Sequence, residues 1–309
     1  MTANENEFDE RTWDVRNIPH WGEHWVDEVD YRSIDSAHFF SAYADRWKPV
    51  IIRGACRDWK AFQEWTNDYL LEKWGDAKVS IYTAPSPQGG HPATQATRSK
   101  AWFEGTFSDL INTSEKNWSI RAFTIGAGSP LDGMVADLDD RWPAAKPAPL
   151  VYARQRLFIH RGGVSLWHAH PVDDHLTYQI RGSKDFVFLS PDQTALISRM
   201  NDQELYSFGF DDAKYPEWRQ IRPLCARLNA GDAIYIPPLW WHTAVPVDQT
   251  LGATLASTWG SSRRALLRHG IPAMFYKGNR SYLRYLPFLL FYCLIGWRGI
   301  FSRSKSPIR

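Results

Sequence analysis

The sequence predicts a mainly β protein in which helices precede and follow a sandwich or barrel of strands. From Val151 onward, short β-like runs follow one another, and turn residues separate them. Aromatic residues make up 15% of the chain, and such side chains favour sheets and ligand pockets. Helical patterns are confined to the N-terminal part and to the residues after Ser261. With 309 residues and 44% hydrophobic content, the chain can build a sizeable core.

The first half of the chain is predicted to mix strands, helices and loops. Residues 1–45 are expected to form an irregular or helical lead-in. A strand is predicted over Pro49–Arg53, and a helix is predicted to start at Thr66 or Asn67 and to stop at Gly75. The next predicted elements are a strand in KVSIYTA, a candidate lid in PSPQGGHPATQATRSK, a helix in FSDLINTSE, a strand in WSIRAFTI and an irregular proline-rich segment in RWPAAKPAPLV.

The second half carries the main run of predicted strands. They lie in VYARQRLFIH, HLTYQIRG, KDFVFLSP, DAIYIPP and LGATLASTWG. A helical pattern returns in SRRALLRHG and in the apolar run that follows. The predicted organisation is therefore a lead-in over 1–45, one domain over 46–260 with its β core at about 118–260, and a helical segment over 261–309.

The C-terminal apolar run admits two interpretations. It extends from Leu286 to Trp297 and is shorter than the roughly 20 apolar residues that a membrane span needs. One interpretation is a packed or dimer-forming helix, and the other is an interfacial membrane anchor with basic residues at the headgroups. The flanking basic residues are Arg284, Arg298, Arg303 and Lys305.

Charge and cysteine content bound the class of protein. The net charge of +2 gives no overall electrostatic case for nucleic-acid binding. The three cysteines are widely spaced and predict neither a disulfide framework nor a zinc site. The acidic, polar N-terminus is not a secretory signal. We therefore expect a cytoplasmic protein, with membrane association depending on the C-terminal run.

Two histidine-bearing segments predict a metal site. In SLWHAH, His168 and His170 stand at positions i and i+2, which share a face along a strand. A third imidazole follows in GDAIYIPPLWWHTAV, where His242 comes after a predicted strand and a proline turn. Imidazole is a ligand for iron, zinc, copper and nickel, so the three histidines form a candidate centre.

The same segments resemble the JmjC-like branch of the cupin superfamily, with the asparaginyl hydroxylase type as the most similar. The resembling motifs are GGVSLWHAH, LTYQIRGSKDFVFLSP, GDAIYIPPLWWHTAV and LASTWG, preceded by KPVIIRGACRDW and WTNDYLLEKWG. The resemblance covers Trp47 to Gly260. It implies a double-stranded β-helix (jelly-roll) core and an oxygenase that uses Fe(II) and 2-oxoglutarate.

Roles follow from this resemblance position by position. His168 matches the first iron ligand of the family and His242 the last. Lys184 matches the lysine that binds the distal carboxylate of 2-oxoglutarate, because a cation pointing into the barrel can pair with a buried carboxylate. The remaining polar positions implied to line the co-substrate pocket are Ser165, His175 and Ser257.

The sequence departs from the family at the second ligand. The usual His-x-Asp supplies a carboxylate, and His170 stands in its place. Three solutions remain open. His170 ligates the metal, or a bulge lets Asp173 or Asp174 supply the acid, or no metal is held productively.

The leading hypothesis is an oxygenase that hydroxylates a C–H bond of a protein side chain or a small molecule. A second hypothesis is a three-histidine cupin dioxygenase or isomerase that does not use 2-oxoglutarate. A third is a non-catalytic cupin-fold binding protein. In the similar hydroxylases the C-terminal helices form a homodimer, so the resemblance implies that partner as well.

Overall fold

Two β-sheets packed face to face form the body of the protein. The computed structural model describes residues 14–83, 102–114, 118–124, 129–144, 146–162, 165–197, 213–248, 250–277 and 279–302. Within these residues, one sheet has nine strands and the other has four. The prediction of a mainly β fold with a jelly-roll core and flanking helices is confirmed.

The large sheet has the order β1-β2-β11-β8-β13-β6-β5-β3-β4. Its β1 and β2 pair in parallel, and its other pairs are antiparallel. The strands are β1 Asp27–Asp30, β2 Val50–Arg53, β3 Lys78–Thr83, β4 Trp102–Thr106, β5 Trp118–Thr124, β6 Gln155–Arg161, β8 Asp173–Arg181, β11 Ala233–Ile236 and β13 Leu251–Gly260.

The small sheet has the order β10-β9-β12-β7 and is antiparallel throughout. Its strands are β7 Ser165–His168, β9 Lys184–Leu189, β10 Leu224–Leu228 and β12 Trp241–Pro246. A register shift marks the pairing of β7 with β12 between the His242↔His168 and Ala244↔Ser165 pairs. Such a bulge re-aims neighbouring side chains, and here it lies beside the candidate centre.

The period-two alternation of side chains divides the strands between an interior and two outer layers. Along β9, Phe186 and Phe188 point between the sheets, where they pack with Ile51 and Ile234 of the large sheet. Val187 of the same strand packs on the outer side of the small sheet. The interior therefore receives alternate residues of every strand that crosses it.

Short helices cover the outer side of the large sheet. Their buried side chains, such as Phe39 and Leu70, join a large apolar cluster that includes Leu157, Leu255 and Trp259 of the sheet. The helices of this N-terminal part are α1 Ser36–Ala42, α2 Lys60–Glu64, α3 Asn67–Trp74 and α4 Phe107–Asn112.

A C-terminal helical layer packs against one end of the body. It comprises α5 Arg263–Ala265, a π-helical turn Leu266–Gly270, α6 Ile271–Met274, a 3-10 segment Arg280–Tyr285 and α7 Leu286–Ser302. Leu289 and Cys293 of α7 are buried in a cluster with Trp47, Val172 and Met274. Within the described residues, no helix is long and apolar enough to cross a membrane.

Most of the element predictions are confirmed, and the misses share a cause. The predicted strands at 49–53 and in the later runs correspond to β2, β3, β5, β6, β8, β9, β11 and β13. The strands β1, β4, β10 and β12 were not predicted, because their runs of four to six residues contain charged residues, glycine or proline and show no clear alternation. The strand expected through His168 and His170 is confirmed for His168, in β7, and is wrong for His170. The candidate lid lies outside the described residues.

Candidate metal centre

Three imidazoles converge at one end of the interior. His168 ends β7, and His242 lies directly opposite it in β12. His170 follows β7 by two residues and lies in the loop before β8 rather than on a strand. One ring nitrogen from each of the three lies within 4.8 Å of the others. The ring centroids are 4.2 Å apart for His168 and His242, and 5.1 Å from each of these to His170.

The loop that carries His170 is fixed from two sides. The backbone amide of Leu239 donates a hydrogen bond to the carbonyl of His170 at 2.6 Å. Leu239 adopts a left-handed conformation with φ of 60°, which is costly for a branched side chain and is retained here beside the centre. Val172 is fully buried against the C-terminal layer. These contacts bring the His170 loop next to the turn that precedes His242.

The imidazoles are suited to act as neutral metal ligands. The pKa values of His170 and His242 lie well below the ordinary value for histidine. Burial is the largest cause, and the neighbouring imidazoles lower them further. Nδ1 of His242 lies 3.0 Å from the Trp240 carbonyl, which places the proton on Nδ1 and leaves Nε2 with a free lone pair. Nδ1 of His170 is buried without a hydrogen-bond partner among the described residues. A bound cation would satisfy such nitrogens, so the residues present fit a metal ion.

The two nearby carboxylates are engaged elsewhere. Asp173 accepts hydrogen bonds from the backbone amides of Leu150, Val151 and Tyr152 at 2.7–2.9 Å. Asp174 accepts one from the Tyr235 hydroxyl at 2.6 Å on the other side of β8. Burial raises the pKa of Asp174 to about 7. Neither carboxylate belongs to the three-histidine group.

A fourth histidine stacks on the group from β8. The His175 ring lies 3.7 Å from that of His170, at an angle of 22°. Its Nδ1 lies 3.2 Å from the Arg156 guanidinium and 3.4 Å from the Thr258 hydroxyl. Because a guanidinium can only donate, Nδ1 accepts and the ring proton belongs on Nε2. That Nε2 is buried without a partner among the described residues.

Lys184 lies deeper in the interior. It begins β9 and shares the face of Phe186 and Phe188, four residues from the strand position that pairs with His242. Its Nζ donates to the Thr254 hydroxyl at 3.0 Å, and none of the ion pairs between described residues involves it. Burial lowers the pKa of Lys184 to about 7. A cation that is removed from water with only one neutral partner is energetically costly. The space around Lys184 therefore suits an anionic group.

Polar side chains lie around the Lys184 ammonium. The Thr254 hydroxyl also donates to the Gln179 amide oxygen at 3.0 Å. Both ring nitrogens of His160 are buried without a partner among the described residues, and burial together with the Lys184 charge holds the pKa of His160 well below its ordinary value. The two unsatisfied ring nitrogens of His160 beside this lysine fit a site that a polar ligand completes.

The structure corrects the placement of Ser257 and shows a second use for Ser165. Ser257 lies on the opposite face of β13 from Thr254 and Thr258, and its hydroxyl donates to Asp140 at 2.7 Å and accepts from Lys146 at 3.0 Å. It therefore belongs to a buried ion-pair network behind the sheet, because side chains alternate along the strand. The Ser165 hydroxyl exchanges hydrogen bonds with the Ala244 backbone at the β7 bulge.

Several residues of the site were missed in the sequence, although β6 carries a signal for them. Leu157 and Ile159 point into the outer core, and the alternate residues Arg156 and His160 point inward. In RLFIHR, the period-two spacing of a strand puts Arg156 and His160 on one face and Leu157 and Ile159 on the other, and this pattern could have identified both. Tyr152 was also missed, and its ring lies 5.2 Å from that of His170.

The tryptophans around the motifs are mainly packing residues. Trp167 contacts Trp218 edge to face on the outer side of the small sheet, in the cluster that Trp241 also touches. Tyr178 belongs to the outer core of the large sheet, and Trp240 packs against the interior cluster. The aromatic side chains beside the histidines are instead Tyr152 and Phe188.

The sequence of the chain is similar to a protein family and to several known proteins. A family model described as a cupin-like domain matches residues 36–259. The chain is 24% identical to a tRNA wybutosine-synthesizing protein 5 of Mus musculus, over 72% of this chain and 75% of the relative. It is 26% identical to the Homo sapiens protein of that name, over 67% and 70%. An arginine-specific demethylase of Arabidopsis thaliana is 21% identical, over 72% of this chain and 44% of the relative.

Proposed function

The chain belongs to the cupin-like domain family, and from that premise we propose that it is an oxygenase dependent on Fe(II) and 2-oxoglutarate. The observation that carries the proposal is the pairing of two features in one interior. Three buried or half-buried imidazoles converge within 4.8 Å, and a half-buried lysine without a described carboxylate partner lies on the same side of the small sheet.

The ligands in this proposal are His168, His170 and His242. Asp173 and Asp174 are disfavoured as ligands because backbone amides and the Tyr235 hydroxyl already engage their carboxylates. Three neutral imidazoles give the iron site one more positive charge than two imidazoles and a carboxylate would. That extra charge favours the binding of a dianionic co-substrate.

Lys184 would hold the distal carboxylate of 2-oxoglutarate. Its Cα lies four positions along β9 from the partner of His242, which is about 13 Å along the strand. The extended lysine side chain and a five-carbon dicarboxylate together span such a distance. The Thr254 hydroxyl, which lies 3.0 Å from Nζ, would orient the ammonium toward that carboxylate.

When bound, Fe(II) and 2-oxoglutarate would supply the chemistry by which dioxygen hydroxylates a C–H bond of the substrate: one oxygen atom would enter the new hydroxyl group, and the other would enter succinate as 2-oxoglutarate loses carbon dioxide. The chain contributes position and exclusion of water. Arg156 keeps the His175 proton on Nε2, where it can be donated to an oxygen atom near the centre. The Tyr152 ring lies 5.2 Å from that of His170 and the Phe188 ring lies 5.9 Å from that of His242, so both would limit the access of water to the imidazoles.

For the substrate we propose a protein side chain or a small molecule. The names of the relatives concern tRNA modification and arginine demethylation, so tRNA and arginine peptides also belong in the first substrate screen. The net charge of the chain is only +2, so the chain as a whole exerts no strong electrostatic attraction on tRNA.

The test is an anaerobic titration of 2-oxoglutarate into the Fe(II)-loaded protein, monitored by the visible metal-to-ligand charge-transfer band. We expect the band in the native protein and no iron binding in His242→Ala. Lys184→Met should keep iron and weaken 2-oxoglutarate binding by about a hundredfold, because a charge-assisted contact in a dry site is lost.

A second candidate function follows from His170, because three-histidine cupins carry out dioxygenase and isomerase reactions without 2-oxoglutarate. If iron binds and no band forms, and Lys184→Met leaves turnover unchanged, this function replaces the first. If iron does not bind to the native protein, both enzyme proposals fail and the non-catalytic binding protein remains.

A further inference from the structure

The outward face of α7 is apolar over residues 288–294, and no residue that the structure describes covers it. Leu289 and Cys293 point into the body, as expected for positions four apart on one side of a helix. On the opposite side, Phe291 is 61% exposed and Leu294 is 67% exposed, with Phe288 and Leu290 beside them at 42% and 43%. A surface helix normally presents polar residues to water, so an apolar outer face indicates a binding surface.

Basic side chains border this face. A groove of about 840 Å³ between α5, the π-helical turn and α7 is lined by Arg263, Arg264, Arg268 and Tyr292. The Arg263 guanidinium lies 4.9 Å above the Tyr292 ring and donates to the Tyr292 carbonyl at 3.2 Å, which joins the groove to α7. Arg264 and Arg268 are exposed.

The charge of the chain is strongly segregated toward this end. Residues 249–309 contain ten Lys and Arg and no Asp or Glu. Since the whole chain carries +2, residues 1–248 carry a net charge of −8. A near-neutral protein with one basic, apolar end is polarised in the way that directs it toward an anionic surface.

From these observations we propose that the C-terminal layer, meaning residues 262–302, docks on an anionic lipid surface. The apolar side chains of α7 would enter the boundary between headgroups and acyl chains, and the arginines of the groove would contact lipid phosphates. Because its inner side is packed against Met274 and Val172, α7 offers a single face and lies along the surface. The proposal is independent of the oxygenase function.

Charge complementarity favours lipid over a second copy of the chain. Self-association through this face would bring two strongly basic layers together, whereas phosphates on an anionic membrane neutralise them. The exposed leucines beside the arginines also distinguish this face from a purely electrostatic RNA-binding surface, because leucine side chains find no partner on a phosphate backbone.

The experiment is co-sedimentation of the full chain with vesicles of phosphatidylcholine alone or with about one third phosphatidylserine. We expect binding to the anionic vesicles and little binding to the neutral ones. The double variant Phe291→Ser with Leu294→Ser should lower the partition coefficient by more than about tenfold. Arg264→Glu with Arg268→Glu should lower it about as much and should weaken its dependence on salt.

Two matched controls keep the result specific. Val247→Ser removes an apolar side chain that is 45% exposed in another region, and Arg32→Glu reverses an exposed charge near the N-terminus. Both should bind anionic vesicles like the native chain. Circular dichroism would check that every variant is folded.

Three results would overturn the proposal. The first is equal binding to neutral and anionic vesicles, or no binding to either. The second is a dimer in light scattering that Phe291→Ser with Leu294→Ser converts to a monomer while vesicles are ignored, because the occupant is then a second copy. The third is binding of tRNA that requires Arg264 and Arg268 without any vesicle binding.

Discussion

His170 decides the electronic character of the proposed centre, and other rings surround it closely. It stacks on His175 at 3.7 Å, meets Tyr152 edge to face at 5.2 Å and has its carbonyl fixed by the Leu239 amide. An aspartate at this position would be shorter and charged, so these ring contacts would be lost. The surroundings of this position therefore fit a histidine ring better than an aspartate side chain.

The residue-level prediction separates His170 from the adjacent acids. His170→Ala should weaken Fe(II) binding by at least about a hundredfold, since loss of outer contacts alone costs about 10–100-fold. Asp173→Asn should leave iron affinity nearly unchanged and lower the free energy of unfolding by about 1–3 kcal/mol, because it weakens bonds to three backbone amides. Isothermal titration and chemical denaturation measure the two. If Asp173→Asn weakened Fe(II) binding and His170→Ala did not, Asp173 would be the ligand.

Lys184 should make 2-oxoglutarate binding depend on pH. Burial lowers its pKa to about 7, and a bound carboxylate raises it again. Below pH 7 the ammonium is charged before binding, and the affinity should be constant. Above pH 7 binding must take up a proton, so the affinity should fall by up to tenfold per pH unit. Calorimetry in buffers of different ionisation enthalpy measures the proton uptake. Lys184→Met should abolish this dependence, and an unchanged slope in that variant would contradict the assignment.

At the scale of elements, β13 separates two functions on its two faces. Thr254 and Thr258 face the interior and contact Lys184 and His175, and Ser257 faces the buried Asp140–Lys146 pair. One strand therefore supports both the site and the outer core, and adjacent residues on it are expected to respond differently to substitution.

The β13 pair offers a matched test. Thr254→Val should weaken 2-oxoglutarate binding about tenfold with little change in stability, because the Lys184 ammonium and the Gln179 amide lose a partner. Ser257→Ala should leave this affinity unchanged and lower the free energy of unfolding by about 1–3 kcal/mol, because it removes a partner of a buried ion pair. Equal effects of both variants on affinity would contradict the division of faces.

The C-terminal layer connects the proposed lipid-docking face to the candidate centre. Val172, two residues after His170, packs in the same cluster as Leu289 of α7. The Tyr282 hydroxyl lies 3.5 Å from the carbonyl of Ala169, between His168 and His170. The C-terminal layer therefore supports the loop that carries His170 and also forms an outer surface.

At the scale of the whole molecule, the buried histidines should set the pH dependence of stability in the metal-free protein. Burial keeps His160, His170, His175 and His242 neutral in the folded chain, and unfolding lets them protonate near pH 6.5. The unfolded state then binds more protons, so the free energy of unfolding should fall as the pH drops below about 6.5. Asp173 and Asp174, whose pKa values are raised by burial, act in the opposite direction, but they are two carboxyl groups against four imidazoles.

Thermal melting of the chelated protein from pH 8 to pH 5 measures this effect. The melting temperature should decrease steadily below about pH 6.5. His160→Phe, which removes one buried imidazole away from the three-histidine group, should make the decrease shallower. A melting temperature that rises on acidification would show that the carboxyl groups dominate.

The sequence by itself determined the strand-rich fold and the two histidine segments, because these depend on local alternation and on motifs that hold their order along the chain; the role of Lys184 stays a prediction. It left His170, Asp173 and Asp174 as open alternatives, and it assigned Ser257 to the wrong face. Only the tertiary structure showed that both carboxylates are engaged, that His170 reaches the centre from a loop, and that Arg156, His160 and Thr254 line the interior. The physical reason is that ligand geometry depends on strand register and bulges, and a shift of one residue moves a side chain to the other face of a sheet.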